Sequence, residues 1–302
     1  MNVHPLSRGL ACLSIFFVLA LSACAVPVSL NLVPPSPTPT PTATPSPTPT
    51  VTPVPLAVSV NGQGIPIPEF NAELARFQKA QAALGNTLSL DAATKAVRDE
   101  FVQTLLLEQA AAASGYKVDD AALQSRIDSL DTQIGGPGKL TAWEAAHGYT
   151  DADFRTELRR QMAAALMRDK IAASIPATAD QVHVKQILLY NADAAQQALG
   201  YLKAGWKFTD LAAQYDPVTK GELGWFPRGY LPDPAIEKAA FALQPDQYSD
   251  VIQTQAGYII LYLVARDPAH LLSPDALLSL QETAVQAWLT KQRNDSKIFF
   301  AP

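Results

Sequence analysis

The sequence predicts an α+β protein with a helical domain, a smaller mixed domain of order β-α-α-β-α-β-β, and a last helix that completes the helical domain. Three observations support this fold class. Apolar residues recur at helical spacing from Val97 to Leu166. Strand-like and helical stretches alternate after Pro176, and Ser273-Pro274-Asp275 opens one isolated helix near the end. The predicted segments are 1–23, 24–55, 56–177, 178–268 and 269–302.

The first segment predicts export. The apolar run "ACLSIFFVLALSA" is too short for a good membrane span and ends in small residues, as a secretory signal does. "LSAC", Leu21 to Cys24, resembles the bacterial lipobox, in which the cysteine becomes the first mature residue and is lipidated. We therefore expect a lipoprotein signal over 1–23 and a lipid on Cys24. The competing interpretation is an uncleaved signal anchor with an incidental cysteine.

Residue counts exclude several kinds of chemistry. Cys12 lies inside the signal, so a chain that starts at Cys24 keeps no second cysteine for a disulfide or a thiolate metal site. The mature net charge is (23 − 1) − 28 = −6, which argues against a nucleic-acid partner. The four histidines have no metal-ligand spacing, and we expect no metal and no cofactor. They are His4, His147, His183 and His270.

The second segment, 24–55, is a linker. Pro34 to Pro55 consists almost entirely of proline, threonine and serine, which cannot bury a core and which favour extended polyproline II. At about 3.1 Å per residue this stretch reaches roughly 70 Å and predicts a semi-rigid stalk. An SH3-type ligand is the alternative, but it has little purpose outside a bacterial cell.

The third segment, 56–177, predicts a helical domain. Residues 58–70 indicate a short strand, a turn at Asn61-Gly62, and a helix that starts after Pro66 and Pro68. Three apolar stripes predict three buried helix faces, although the same stripes could line a groove for a bound peptide. They are Val97, Phe101 and Leu105; Leu123, Ile127, Leu130 and Ile134; and Phe154, Leu158, Met162 and Leu166.

The fourth segment, 178–268, predicts the mixed domain, and the fifth, 269–302, predicts a helix that returns to the helical domain. Strands are expected at Gln181–Tyr190, at "ELGWF", at "YSDVIQT" and at "GYIILYLVA", with two helices after the first strand and one after the second. The terminal helix places four apolar residues on one face: Leu277, Leu280, Ala284 and Trp288. A lone terminal helix needs a partner, so we expect it to pack on the N-terminal helices.

Four motifs of the mixed domain carry a family resemblance. They are "VHVKQILL", "FTDLAAQYDPVTKGELGWFPRG", "IEKAAFAL" and "QTQAGYIILYL". Together, over roughly residues 180–266, they resemble the parvulin family of peptidyl-prolyl cis-trans isomerases. "VNGQGIPIPEF", the following helices and the terminal helix resemble the chaperone part of SurA- and PrsA-type foldases. With the lipobox, the arrangement resembles a PrsA-type lipoprotein foldase.

The resemblance implies a substrate pocket around the strand of "ELGWF". It places Leu223 on a pocket leucine, Leu231 on a position usually held by methionine, and Ile236 on the usual phenylalanine. Trp225 and Phe226 belong to the same strand and are carried over as substrate-binding residues. Without the resemblance, ordinary core packing is an equally good account of Leu223, Leu231 and Ile236.

The same resemblance implies a degraded catalytic site. The two histidines typical of parvulins correspond here to Gln186 and Ile259, and Asp216 is the nearest candidate for the family's aspartate or cysteine. Isoleucine cannot donate a hydrogen bond, and glutamine offers only an amide. We therefore expect weak isomerase activity or none.

Three functions compete. The first is a membrane-anchored prolyl isomerase, facing the extracytoplasmic side, that assists the folding of unfolded or proline-containing exported polypeptides. The second is a non-catalytic holdase chaperone that uses the parvulin fold as a peptide-binding scaffold, which the replacements at Gln186 and Ile259 favour. The third, a solute-binding receptor of an importer, rests on the lipobox alone and needs a larger α/β fold.

Overall fold

A computed structural model describes residues 54–301 of the chain. The predictions on residues 1–53, including Cys24 and most of the linker, lie outside the described residues. The helices are α1 Ile67–Ala83, α2 Leu90–Ala113, α3 Asp120–Gln133, α4 Lys139–His147, α5 Asp151–Ala172, α6 Ala192–Lys203, α7 Phe208–Tyr215, α8 Pro234–Ala242 and α9 Pro274–Asp295. The strands are β1 Leu56–Val60, β2 Gln63–Pro66, β3 Thr178–Leu189, β4 Glu222–Pro227, β5 Ile252–Gln253, β6 Tyr258–Leu271 and β7 Ile298–Phe300.

The helical domain is organised around α2. Ser89 caps this helix, because its hydroxyl accepts a hydrogen bond from the backbone N–H of Ala92 at 3.1 Å. Thr150 caps α5 in the same way through the N–H of Asp153. Helices α1, α5 and α9 all contact α2 and bury its apolar stripe in one core. That core includes Val97, Phe101, Leu105, Leu123, Ile127, Met167, Val285 and Leu289.

A small antiparallel sheet of order β2-β1-β7 closes one side of this domain. The expected turn is present, with φ of 53° at Asn61 and 89° at Gly62, both suited to a two-residue hairpin loop. The structure corrects the expected path after the turn, because Gln63–Pro66 pairs back onto β1 before α1 begins. It also adds β7, which pairs Phe300 with Val58.

The buried face of α5 differs from the expected one. Leu166 is 42% exposed, and the most buried apolar positions are Ala163, Ala164 and Met167. The face of α5 that is buried therefore carries small residues at 163 and 164, and Leu166 lies outside that face. Phe154, Leu158 and Met162 pack at the edge of the core, partly buried.

The terminal helix α9 completes the helical domain, as the sequence predicts. Val285 and Leu289 are buried in the same core as α2 and α5, and Trp288 packs against that core partly buried. The helix follows directly from β6, where the N–H of Leu272 donates to the carbonyl of Ala177 at 2.8 Å. The α+β fold class is therefore confirmed, including the return of the last helix.

The mixed domain has an antiparallel sheet of order β4-β3-β6-β5. Helices α6 and α7 pack on one face, around Ile187 and Ile260. Helix α8 packs on the other face, around Val184, Phe226 and Leu261. The expected order β-α-α-β-α-β-β is present. The strand expected at "YSDVIQT" is shorter than predicted, since β5 contains only Ile252–Gln253.

Candidate functional site

Two glycines shape β4, each for a different reason. Gly224 has φ +78°, and the register of β3 against β4 shifts here, so that Val184 pairs with Gly224 and Lys185 with Glu222. Leu223 is the extra residue of this β-bulge. A bulge bends the strand and redirects a side chain. As a result Leu223 packs against the α8 side of the sheet.

The second glycine, Gly221, lies against β3. Its carbonyl accepts a hydrogen bond from the N–H of Gln186 at 2.7 Å, and its φ is +72°. A β-carbon at position 221 would lie 2.1 Å from the carbonyl oxygen of Gln186, which leaves no room for a side chain. The loop after α7 is therefore fixed to the strand that carries Gln186.

An open depression of about 460 Å³ lies between β4 and α8, and we call it the β4–α8 depression. The predicted pocket residues Leu223, Leu231 and Ile236 meet in its lining, together with Gln186. All three apolar residues are partly buried against the core beneath α8. The remaining lining residues are Pro232, Asp233, Pro234, Thr254, Gln255 and Ala256.

Ile259 and Phe226 lie inside the core and not in the lining. Ile259 is 3% exposed and pairs with Leu188, while Gln186 pairs with Leu261, two residues further along the ladder. Gln186 and Ile259 are thus diagonal neighbours on one face of the sheet, a spacing of roughly 7–8 Å. Phe226 is 1% exposed and packs edge-on against Phe241.

Trp225 lies on the opposite face of the sheet from Phe226. Its indole is stacked between two imidazoles, with ring centroids 5.3 Å from His183 and 4.0 Å from His270. The structure therefore does not bring Trp225 to the β4–α8 depression. Neighbouring residues of an extended strand point to opposite faces, so Trp225 and Phe226 do not share one surface.

Asp216 also lies outside the lining, at the end of α7. Its carboxylate accepts hydrogen bonds from the hydroxyl and the N–H of Thr219 and from the N–H of Val218. The hydrogen bond from the Thr219 hydroxyl, followed by those from backbone N–H groups, holds the pKa of Asp216 below its usual value. The carboxylate is thus engaged in organising its own loop.

Glu222 carries the charge nearest to the bulge. Burial raises the pKa of this carboxyl, but contacts with His183 and Lys185 outweigh burial and leave the pKa below its usual value. The carboxylate oxygen Oε1 lies 2.5 Å from His183 Nε2 and accepts a hydrogen bond from the N–H of Gly224. Glu222 therefore ties β4 to β3 on the side of the sheet away from the depression.

Sequence reasoning did not assign Asp233 or Thr254 to the lining. Asp233 caps α8, since its carboxylate accepts a hydrogen bond from the N–H of Ala235 at 2.8 Å. Thr254 closes the turn between β5 and β6 through hydrogen bonds with Gly257. The signals were present, because a Pro-Asp-Pro helix start and a Gly-containing turn both predict loops. Neither signal indicates that the two loops meet at one depression.

Comparison with known families matches both domains. A model of the PPIC-type PPIase domain matches residues 176–277, and a model of the SurA-like N-terminal domain matches residues 53–173. This chain therefore carries a SurA-like N-terminal domain and a PPIC-type peptidyl-prolyl isomerase domain. The match over residues 176–277 agrees with the resemblance to peptidyl-prolyl cis-trans isomerases that the sequence motifs carry.

Individual relatives bear the name PrsA. The chain is 30% identical over 171 residues to the foldase protein PrsA of Bacillus subtilis, covering 53% of this chain and 58% of the relative. It is 32% identical over 182 residues to foldase protein PrsA 2 of Listeria innocua, covering 54% and 60%. The chain thus spans less than two-thirds of the length of these relatives. A crystal structure of the peptidylprolyl isomerase PrsA from Bacillus cereus matches with 21% identity and a TM-score of 0.43, covering 80% of this chain and 86% of that one.

Within residues 54–301, no helix combines the length and the apolar character that a bilayer crossing requires. The predicted lipid attachment at Cys24 lies before this range.

Proposed function

We propose that the chain is a membrane-anchored, extracytoplasmic foldase of the peptidyl-prolyl isomerase family that assists exported proteins and whose isomerase site is weakened. The observation that carries this proposal is the composition of the β4–α8 depression. Leu223, Leu231 and Ile236 provide an apolar lining. Gln186, which by the resemblance takes the place of one family histidine, adds an amide to that lining. The position of the other is Ile259, within the core.

The chemistry of the reaction explains why this composition matters. An X-Pro bond is held planar by amide resonance, with a barrier of roughly 18–20 kcal/mol. An apolar depression gains free energy by burying the carbons of a proline ring. Rate acceleration also requires interactions that are stronger with the twisted amide than with the planar one. Of the two positions, Gln186 keeps a hydrogen-bonding group and Ile259 has none, whereas two imidazoles supply two hydrogen-bonding groups that can also become charged.

The location rests on the sequence before the described residues. The "LSAC" motif favours a lipid on Cys24, and the stretch from Pro34 to Pro55 can hold the two domains away from the membrane. The names of the relatives support a foldase role for the chain. Unfolded or proline-containing exported polypeptides are then its substrates.

The second candidate is a holdase without isomerase activity. The same lining favours it, because an apolar depression can bind a proline ring without catalysing rotation. The two candidates predict the same peptide binding and different isomerisation rates. Measurement of both quantities on one peptide separates them.

The test uses an Ala-Pro model peptide, with binding followed by chemical-shift titration and isomerisation by NMR exchange. We expect saturable binding and a rate far below that of a histidine-bearing parvulin domain. Leu223→Ala should weaken binding severalfold, because it removes apolar surface from the depression. Leu271→Ala is the matched control, since Leu271 is exposed at the far end of β6.

Three outcomes of this experiment distinguish the candidate functions. A rate equal to that of a histidine-bearing parvulin overturns the weakened site. Binding without any measurable acceleration favours the holdase. A failure to bind the peptide overturns the role of the depression and leaves the helical domain as the functional part.

A further inference from the structure

The lining of the β4–α8 depression carries one kind of charge. Of the residues between 54 and 301 that line it, Asp233 alone has an ionisable side chain that is charged at neutral pH. The other lining residues are apolar or carry neutral amides and a hydroxyl. A bound proline segment therefore meets a negative charge at the rim and no lysine or arginine among the described lining residues.

The carboxylate of Asp233 is held in place by its position at the start of α8. One oxygen, Oδ1, accepts the hydrogen bond from the N–H of Ala235 that caps the helix. Pro232 and Pro234 flank the residue, and proline restricts both its own backbone and that of the residue before it. The charge is thus fixed at the rim, and Oδ2 is not used by the described cap.

Two basic residues close to β4 in the fold, Lys185 and Arg228, make other contacts. Lys185 lies 3.5 Å from Glu222 and alternates with Gln186 along β3, so it faces the other side of the sheet. Arg228 lies 3.9 Å above the ring of Phe241. The whole chain carries a net charge of −5, which adds to the negative potential around a cationic peptide.

We propose that Asp233 makes the depression selective for proline segments flanked by a basic residue and unfavourable for segments flanked by an acidic or phosphorylated one. This inference rests on the proposed function, because it assumes that the depression binds proline segments. A charge about 6 Å from a partly solvated carboxylate changes affinity by about threefold to tenfold. Attraction of lysine and repulsion of glutamate together give a ratio of about tenfold or more.

The experiment measures the dissociation constants of three peptides with the full chain: Ala-Lys-Pro-Phe, Ala-Ala-Pro-Phe and Ala-Glu-Pro-Phe. We expect the lysine peptide to bind most tightly and the glutamate peptide least tightly. The ratio of their dissociation constants should be smaller in about 0.5 M salt, because this salt shortens the Debye length to about 4–5 Å. A second set of peptides, with the charged residue after the proline, shows on which side of the proline Asp233 acts.

Asp233→Asn is the decisive variant, because asparagine caps helices as well as aspartate does and only the charge is removed. The ratio between the glutamate and lysine peptides should fall to within about twofold of one. Glu237→Gln is the matched control on the same helix. Its carboxylate accepts a hydrogen bond from the N–H of Gly229 and does not line the depression, so the ratio should persist.

Failure of this inference is distinct from failure of the proposed function. Binding of the Ala-Ala peptide with equal affinities for the charged peptides overturns the selectivity alone. A ratio that survives in Asp233→Asn assigns the selectivity to another group and overturns the role of Asp233. Absence of binding by all three peptides overturns the proposed function and this inference together.

Discussion

The α-carbon of Gly221 lies directly against the carbonyl group of Gln186. A β-carbon on Gly221 would be 2.1 Å from that oxygen, and the same two residues share a backbone hydrogen bond of 2.7 Å. The contact joins the loop after α7 to the strand whose side chain lines the β4–α8 depression. Its disruption should therefore affect both stability and peptide binding.

Gly221→Ala should lower the free energy of unfolding by about 3 kcal/mol or more, because positive φ and a backbone collision act together. Chemical denaturation measures this loss. Gly205→Ala is the control, since Gly205 has φ +93° with nothing within 4 Å of an added β-carbon. It should lose only about 1–2 kcal/mol, the cost of the left-handed backbone alone. Equal losses in the two variants would contradict the close approach.

Trp225→Ala should reduce stability and leave the binding of Ala-Pro peptides nearly unchanged, because the indole stacks between His183 and His270 away from the depression. The expected loss is about 2 kcal/mol, less than the roughly 3–5 kcal/mol of a fully buried aromatic residue. Peptide titration compared with Leu223→Ala checks the difference. Stronger loss of binding in Trp225→Ala than in Leu223→Ala would return Trp225 to the substrate site.

Ile259→His should destabilise the protein and should not restore isomerase activity alone. Ile259 is buried among Leu188, Ile252 and the residues beneath α8, so an imidazole there loses apolar packing and hydration, at a cost of about 2–4 kcal/mol. Burial disfavours the charged imidazole, so the folded-state pKa falls below about 6.5 and the destabilisation grows as pH falls below that value. Denaturation at pH 8 and pH 5.5, with Ile259→Val as the conservative control, tests this. A variant as stable at pH 5.5 as at pH 8 would be inconsistent with burial.

Glu222 should stabilise the folded chain at neutral pH more than in acid. Its folded-state pKa lies below the usual 4.5, so its contribution is complete above that pH and is lost as pH falls through the folded pKa. Glu222→Gln should therefore be less stable than the parent at pH 7, and the difference should vanish in acid. Denaturation between pH 7 and pH 3 checks this, with Glu282→Gln on α9 as an exposed control. A difference that stays constant with pH would argue against a contribution from the contacts of the Glu222 carboxylate with His183 and Lys185.

The sequence predicted those features that depend on local patterns. The helix start at Ser273 follows from its side-chain cap, and the long strands β3 and β6 follow from β-branched runs. The three-residue strand β7 was missed because its pairing partner, β1, lies more than two hundred residues earlier in the chain. The exposed side of α5 was misjudged because periodicity gives a stripe without indicating which neighbour approaches it.

The residues of the candidate site also divide into those that the sequence predicts and those that depend on tertiary contacts. Leu223, Leu231 and Ile236 were predicted from family motifs, and the structure places them in one lining. The bulge that turns Leu223 and Phe226 toward the α8 side, and Trp225 away from it, depends on one unpaired residue in β4. Asp233 joins the site through the packing of two loops that are distant in sequence. Tertiary contacts of this kind leave no periodic signal in the chain.

The hydrogen bond between Leu272 and Ala177 has a topological consequence. The chain leaves the helical domain and returns to it at one point, so residues 178–271 form an insertion whose two ends are already adjacent. The inserted domain is continuous in sequence and can form its sheet from its own residues. The core of the helical domain lacks Val285 and Leu289 until the last part of the chain has been synthesised. Because synthesis starts at the N-terminus, this core is completed after the inserted domain.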